Sequence, residues 1–272
     1  VFVSVGAHNS ATMGVPGEDL EGVLPAVEFL RDVALGRPVK VGQNVAVVGG
    51  GNAAIDAART ALRLGAKEVH IVYRRLRSDM PADPAEIEAA IEEGIQVHYL
   101  TAPTRLIGVD GKLAQMECVR MRLGDFDKSG RRRPVPVDAS RTIVDVDTVI
   151  PAIGQSVDTS FAGKPADGEE ALLMTKSGLV ITDPDTMQTN VPGVFAGGDC
   201  ATGPATVIGA IGAGRQVAVE IDKFVGGSAW QHADVDVERV LVGTPIEEQC
   251  KRCVMPEMPV GERARNFKEV EL

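Results

Sequence analysis

The feature that most constrains this chain is the run Gly49-Gly50-Gly51-Asn52-Ala53-Ala54. It follows a continuous apolar stretch, Asn44-Val45-Ala46-Val47-Val48, of the kind found in parallel strands buried on both faces. It opens a segment from Asn52 to Leu64 whose apolar residues, Ala54, Ile55, Ala58, Ala61 and Leu62, recur at helical spacing and stop at Gly65. Glu68 to Tyr73 then reads as a second strand, which completes a βαβ unit. In that setting Gly49-x-Gly51-x-x-Ala54 matches the dinucleotide-binding fingerprint. Gly49 permits the tight turn, Gly51 lets the backbone approach a pyrophosphate, and Ala54 allows the helix to pack close to the strand. The helix start offers free N–H groups and a partial positive charge to phosphates. Gly50, Asn52 and Ala53 complete the expected phosphate loop. The fold class implied is α/β, with a Rossmann-type domain.

The end of the second strand selects the nucleotide. Proteins that bind NAD usually carry an acidic residue there for the ribose 2′-hydroxyl. This chain has Tyr73-Arg74-Arg75, with Arg77 just beyond. Guanidinium groups suit a 2′-phosphate, which they can hold bidentately, so Arg74 and Arg75 predict NADPH as the nucleotide.

Elsewhere, helices are expected from Pro25 to Ala34 and from Pro84 to Glu93, and a third strand over Ile95–Leu100. Breaks at Asp110-Gly111 and Ser129-Gly130 predict an antiparallel meander, and Val146–Ile150 a return to a buried strand that Pro151 and Gly154 stop. Ala205–Val225 reads as a long helix rich in small residues, and the charged tail from Trp230 as extended over the surface. Val1–Val5 reads as a buried strand without an initiator Met, as in a fragment of a longer protein. A net charge of -10 argues against a nucleic-acid partner. No apolar run approaches the roughly 18–20 residues of a membrane span. Four cysteines and no opening signal peptide fit a reducing, cytoplasmic setting.

Several segments together resemble a family. Gly49 to Arg59 followed by Val72-Tyr73-Arg74-Arg75, Met80-Pro81-Ala82, Glu92-Glu93-Gly94, Thr189 to Asp199 and the late Arg265-Asn266-Phe267-Lys268-Glu269-Val270 are similar to the small (β) subunit of NADPH-dependent glutamate synthase and related flavoproteins. The resemblance covers nearly the whole chain. It implies an NADP-binding domain over residues 25–155, inserted in a partial FAD-binding domain made of residues 1–24 and 156–227, with a C-terminal tail over 228–272. It also implies FAD contacts from Gly198 and Asp199, whose carboxylate would hold a ribityl hydroxyl, and from Thr206 and Val207, where a helix start would face the flavin pyrimidine edge. Gly154 closes the candidate cofactor-binding residues. NADPH would pass a hydride to FAD, and electrons would leave to a partner subunit or iron–sulfur protein. The family's first FAD fingerprint and its iron–sulfur cysteines are not found in these 272 residues, which implies weak or no FAD binding by this chain alone. Two readings therefore stay open: the hydride-transferring part of a flavoenzyme, or a non-catalytic nucleotide-binding module that needs another segment or chain. A homodimer is one way to cover an incomplete flavin face.

The remaining candidates read more simply. Cys250-x-x-Cys253 has no second pair and reads as incidental, not as a metal site. His70 and His98 read as packed strand residues, and Glu92-Glu93 as a solvated helix end. Arg131-Arg132-Arg133 reads as a solvated turn, with docking of an acidic electron acceptor as its other reading. No Ser–His–Asp or Cys–His set is present, and hydride transfer between cofactors needs none.

Overall fold

Two short strands, β1 (Phe2–Val3) and β2 (Asn9–Ser10), and helix α1 (Ala26–Ala34) precede β3 (Asn44–Val48), the apolar run before the glycines. The structure is a computed structural model and describes residues 1–127, 130–163, 170–227, 255–268 and 270. The chain divides into two units, Val1–Asn9 with Ser156–Met255, and Ser10–Gln155 with Pro256–Leu272.

In the second of these units, β3 is followed by α2 (Asn52–Arg63), β4 (Glu68–Val72), α3 (Pro84–Glu92) and β5 (Gln96–His98). An antiparallel meander follows: β6 (Thr101–Val109), β7 (Lys112–Phe126), β8 (Arg132–Pro136) and β9 (Thr142–Asp145). Strand β10 (Thr148–Pro151) then joins a parallel sheet of order β10-β3-β4-β5. The unbroken apolar run of β3 has a direct cause. Val45 and Val47 pack with Phe29, Ile55, Ala58 and Ile87 of the three helices, while Ala46 and Val48 pack with Leu106, Met116 and Cys118 of the meander. Both faces of the strand are covered, so neither can be polar. The starts of β3 and β10 are tied by Asp147, whose carboxylate accepts from the backbone N–H of Gln43 (2.8 Å) and Asn44 (3.1 Å). The hairpin between β6 and β7 turns at Asp110 (φ 52°) and Gly111 (φ 78°), two positive φ values that suit the twist of an antiparallel pair.

This unit begins at Ser10, earlier than the boundary expected near residue 25. Residues 11–24 belong to it through backbone bonds: Ala11 N–H to Gly154 O (3.0 Å), Leu106 N–H to Pro16 O (2.9 Å) and Leu24 N–H to Val149 O (2.9 Å). The late residues also differ from an extended tail. Helix α6 (Val260–Arg263) folds back onto α2 and α3, and Arg263 is buried there.

The other unit holds β1 and β12 (Phe195–Ala196), paired in parallel, with α4 (Asp199–Thr202) and α5 (Val207–Phe224). β2 and β11 (Gln155–Ser156) lie at two of the three places where the chain passes from one unit to the other, the third being Met255–Pro256. A small core gathers Ala7, Val157, Val180, Ala196 and Cys200. The expected buried opening strand is corrected here. Only Phe2–Val3 is strand, and Val1 is 81% and Phe2 38% exposed, because β1 lies at the edge of a two-stranded sheet. Of the 18 residues of α5 only Ala213 and Val217 are buried. Among the described residues no helix is long and apolar enough to cross a membrane.

Candidate functional site

The three glycines sit at the carboxyl end of β3, between the ends of β4 and β10, where open parallel sheets bind ligands. Each has a different local reason. Gly49 has φ +150°, and a Cβ there would lie 2.2 Å from Ala152 O, just beyond β10. At Gly50 a Cβ would meet the Tyr73 ring at 2.6 Å. Gly51 is extended (φ -92°, ψ 177°), and a Cβ would meet nothing closer than the Pro81 ring at 3.8 Å. No internal contact or strained dihedral accounts for glycine at that position.

Gly51 is the N-cap of α2 and gives the helix no side-chain cap. The N–H of Ala54 and of Ile55 turn back to Gly51 O, at 2.9 and 3.3 Å. The N–H groups of Asn52 and Ala53 donate to no acceptor among the described residues. Asn52 Oδ1 accepts from Asp83 N–H at 3.0 Å. Ala54 is fully buried, as close helix–strand packing requires. Gly154, with φ +137°, follows the strand end that abuts Gly49, and its carbonyl receives Ala11 N–H.

The arginines after β4 separate. Arg74 is exposed at the strand end. Arg75 turns inward, 5% exposed, where Nε donates to Arg132 O (3.0 Å) and NH2 to Asp127 Oδ2 (3.0 Å). Its guanidinium is thereby committed to the β7–β8 hairpin, which corrects the expectation that Arg75 reaches a 2′-phosphate. Arg77 pairs with Glu88 on α3. Tyr73, unremarked in the sequence beyond its place before the arginines, is buried against Gly50, and its hydroxyl donates to Asp79 O at 2.6 Å. Burial lifts this phenol above its ordinary pKa against the pull of Arg75, so it remains a donor.

Three further expectations meet a different arrangement. Glu93 is not solvated: its side chain is fully buried and receives Arg59 (2.7 Å) and Arg63 (2.9 Å), with Arg263 Nε at 3.3 Å. Glu92 does stay partly exposed and pairs with Arg263 at 2.6 Å. His70 is largely covered, but His98 is exposed, and their rings meet at 3.0 Å, Nδ1 to Nε2. Although His98 is exposed, the part of its ring that neighbouring atoms shield from water is the first cause that lowers its pKa, and the charge of His70 is the second. Arg131 to Arg133 are exposed, with Arg132 at the start of a strand instead of in a turn. Cys250 and Cys253 lie outside the described residues.

In the other unit, Gly198 adopts φ +72° and leads into α4. Asp199 Oδ1 accepts from Ala205 N–H at 3.2 Å, and Thr206 caps α5 by accepting from Gly209 N–H at 3.1 Å. Asp199, Thr206, Val207 and Ile211 line a shallow cavity of about 390 Å³ at that helix start. Val207 is 76% exposed. Asp199 thus keeps an oxygen for a hydroxyl, next to a helix start that favours negative charge.

Against known proteins, the family described as pyridine nucleotide-disulphide oxidoreductase matches residues 1–214. The chain belongs to this family. Among curated relatives it is 44% identical to the NADP(+)-dependent formate dehydrogenase subunit beta of Moorella thermoacetica, over 100% of this chain and 39% of that protein. It is 39% identical to the NADPH-Fe(3+) oxidoreductase subunit beta of Geobacter sulfurreducens strain PCA, over 100% of this chain and 45% of that protein. It is 33% identical to the glutamate synthase [NADPH] small chain of Azospirillum brasilense, over 84% and 49%. The chain therefore spans less than half the length of these relatives. Lactococcus lactis thioredoxin reductase superposes with a TM-score of 0.62 at 27% identity, over 83% of this chain and 65% of that one. The architecture of this family member is that of the two-dinucleotide-binding flavoproteins, an α/β fold in which a Rossmann-type unit interrupts a second, partial one.

Proposed function

We propose that this chain binds NADPH at Gly49–Ala54 and Arg74 and, within a longer protein, positions it to pass a hydride to FAD. Gly51 is the observation that carries the reading. Gly49 and Gly50 are explained by contacts inside the chain, whereas Gly51 has none that requires glycine, and it stands at the helix start where a pyrophosphate approaches the backbone. The unpartnered N–H groups of Asn52 and Ala53 are the donors such a group needs. Arg74 supplies the charge for a 2′-phosphate. The residues present therefore fit the nucleotide.

They fit only one side of FAD. Asp199 would hold a ribityl hydroxyl, and the Thr206–Val207 helix start would face the pyrimidine edge, where it favours negative charge on a reduced ring. The cofactors supply the hydride chemistry, and the chain supplies orientation and electrostatics. Electrons would leave to an accepting partner subunit or iron–sulfur protein, a reading supported by relatives that are themselves named as subunits. The exposed start of α5, with Ile208 82% and Ile211 67% exposed, favours a second reading for the chain on its own: a nucleotide-binding module that another segment or chain completes. Titration of the 272-residue chain with NADPH and NADH by calorimetry tests the first reading. Tighter NADPH binding, abolished by Gly51→Val, is expected, and equal affinity for the two nucleotides would overturn it.

A further inference from the structure

Tyr73 stands at the junction of two features that the nucleotide reading treats separately. Its backbone is fixed on both sides, N–H to His98 O (2.9 Å) and O from Thr101 N–H (3.0 Å). From there the chain leaves through Arg74 and Arg75 and returns at Asp79, whose carbonyl accepts the Tyr73 hydroxyl at 2.6 Å. One side chain thus closes the loop that carries Arg74. The loop is tightened within by Leu76 N–H to Asp79 Oδ2 (3.1 Å) and Asp79 N–H to Leu76 O (2.9 Å). The Cδ2 and Cε2 atoms of the same ring are the floor under Gly50. The segment after the loop continues the contact, with Ala82 N–H to Gly50 O (3.2 Å) and Asp83 N–H to Asn52 Oδ1 (3.0 Å).

We infer that Tyr73 is a positioning residue that couples the 2′-phosphate subsite at Arg74 to the pyrophosphate loop at Gly50, and so sets the preference for a phosphorylated nucleotide. The inference rests on the proposed NADPH site. The hydroxyl and the ring have separable duties. Removing the hydroxyl frees Asp79 O and lets the 74–79 loop spread, which misplaces Arg74 but leaves Gly50 supported. Only contacts to the 2′-phosphate are then lost. NADH, which lacks that group, reports on the pyrophosphate loop alone.

The test is a double-mutant cycle on the full 272-residue chain, with NADPH and NADH affinities measured by calorimetry for the unaltered chain, Tyr73→Phe, Arg74→Ala and the double variant. Tyr73→Phe is expected to weaken NADPH by about threefold to tenfold, the usual effect of losing one neutral hydrogen bond. NADH binding should stay unchanged, and in the Arg74→Ala background Tyr73→Phe should have no further effect. Tyr73→Leu, which also removes the floor under Gly50, should weaken both nucleotides. A Tyr73→Phe loss that is equal for NADPH and NADH, or independent of Arg74, or absent, overturns the inference while leaving the site in place. An unaltered chain that binds neither nucleotide overturns the site reading, and the inference with it.

Discussion

Substitution at adjacent glycines should give opposite results, because their neighbours differ. A Cβ at Gly50 would strike the Tyr73 ring at 2.6 Å, and that ring is held by its own hydrogen bond. Gly50→Ala should therefore destabilise the unit, by about 1–3 kcal/mol as for other overpacked sites. Chemical denaturation would show it as a lower midpoint at an unchanged slope. Gly51 has an extended backbone that valine accepts, and a Cβ there meets only the Pro81 ring, at an ordinary 3.8 Å. Gly51→Val should keep the denaturation midpoint near that of the parent and abolish NADPH binding. A variant that binds NADPH normally would place the nucleotide elsewhere. The two arginines divide in the same way. Arg74→Ala should cost about 1.5–3 kcal/mol of NADPH binding, the scale of a charge-assisted bond, and nothing in stability. Arg75→Ala should instead lower stability, since it removes one donor from the Asp127 carboxylate and one from Arg132 O. Equal loss of NADPH affinity from both variants, with stability unaltered, would contradict this division. The sequence pattern shows two guanidinium groups at a strand end. Which one faces solvent depends on the pleat of β4 and on a hairpin about 50 residues further along, and neither is visible in local spacing.

At the level of elements, the helices and the parallel strands were legible because their signals are local. β3 lacks polar residues because helices cover one face and the meander the other, and α2 ends where Gly65 interrupts its apolar repeat. The packing of α6 was not legible, because it depends on charges brought together from residues 59, 63, 93 and 263. Glu93 looks like any acidic residue at a helix end. Its burial follows from three arginines converging on it, one of them 170 positions later in the chain. Burial alone would raise the Glu93 carboxyl, but the bonds from Arg59 and Arg63 outweigh it and hold its pKa below the ordinary 4.5. A carboxyl with a depressed folded-state pKa contributes stability that is present above the unfolded value, and loses it as pH falls through the folded value. The Glu93 contribution should thus be full at neutral pH and fade below about pH 4.5. Glu93→Gln should cost about 3–5 kcal/mol at pH 7, because it leaves buried arginines without their counter-charge. The gap between parent and variant should narrow as the medium is acidified. Urea titrations at pH 7 and pH 3.5 check this, and a constant gap would mean that the ionised carboxylate is not what holds α6.

For the whole molecule, the question is whether the flavin contacts proposed for Asp199 and the start of α5 are enough to hold flavin. The described residues supply the Asp199 carboxylate and the start of α5. Among the described residues the one strand–helix glycine fingerprint is that at Gly49–Ala54, so they offer the FAD pyrophosphate no second loop of that kind. Binding must offset the lost translational and rotational freedom of the ligand, about 4–15 kcal/mol, before any affinity appears. A complete site meets that cost once and keeps the surplus. A site reduced to its ribityl and pyrimidine contacts meets the same cost with fewer contacts, so affinity falls by much more than the fraction of contacts removed. Val207, Ile208 and Ile211 stay open to water at the same helix start, where a longer chain or a second copy would cover them. The 272-residue chain should therefore be purified without stoichiometric FAD, and with added flavin it should oxidise NADPH no faster than free flavin does. Absorbance in the flavin bands, followed by denaturation and measurement of released FAD, decides the first point. Light scattering at the same concentration shows whether a second copy is present. One tightly held FAD per chain in a monomer would mean that residues outside the Asp199 and α5 contacts complete the site. The same result in a dimer would mean that the second copy does.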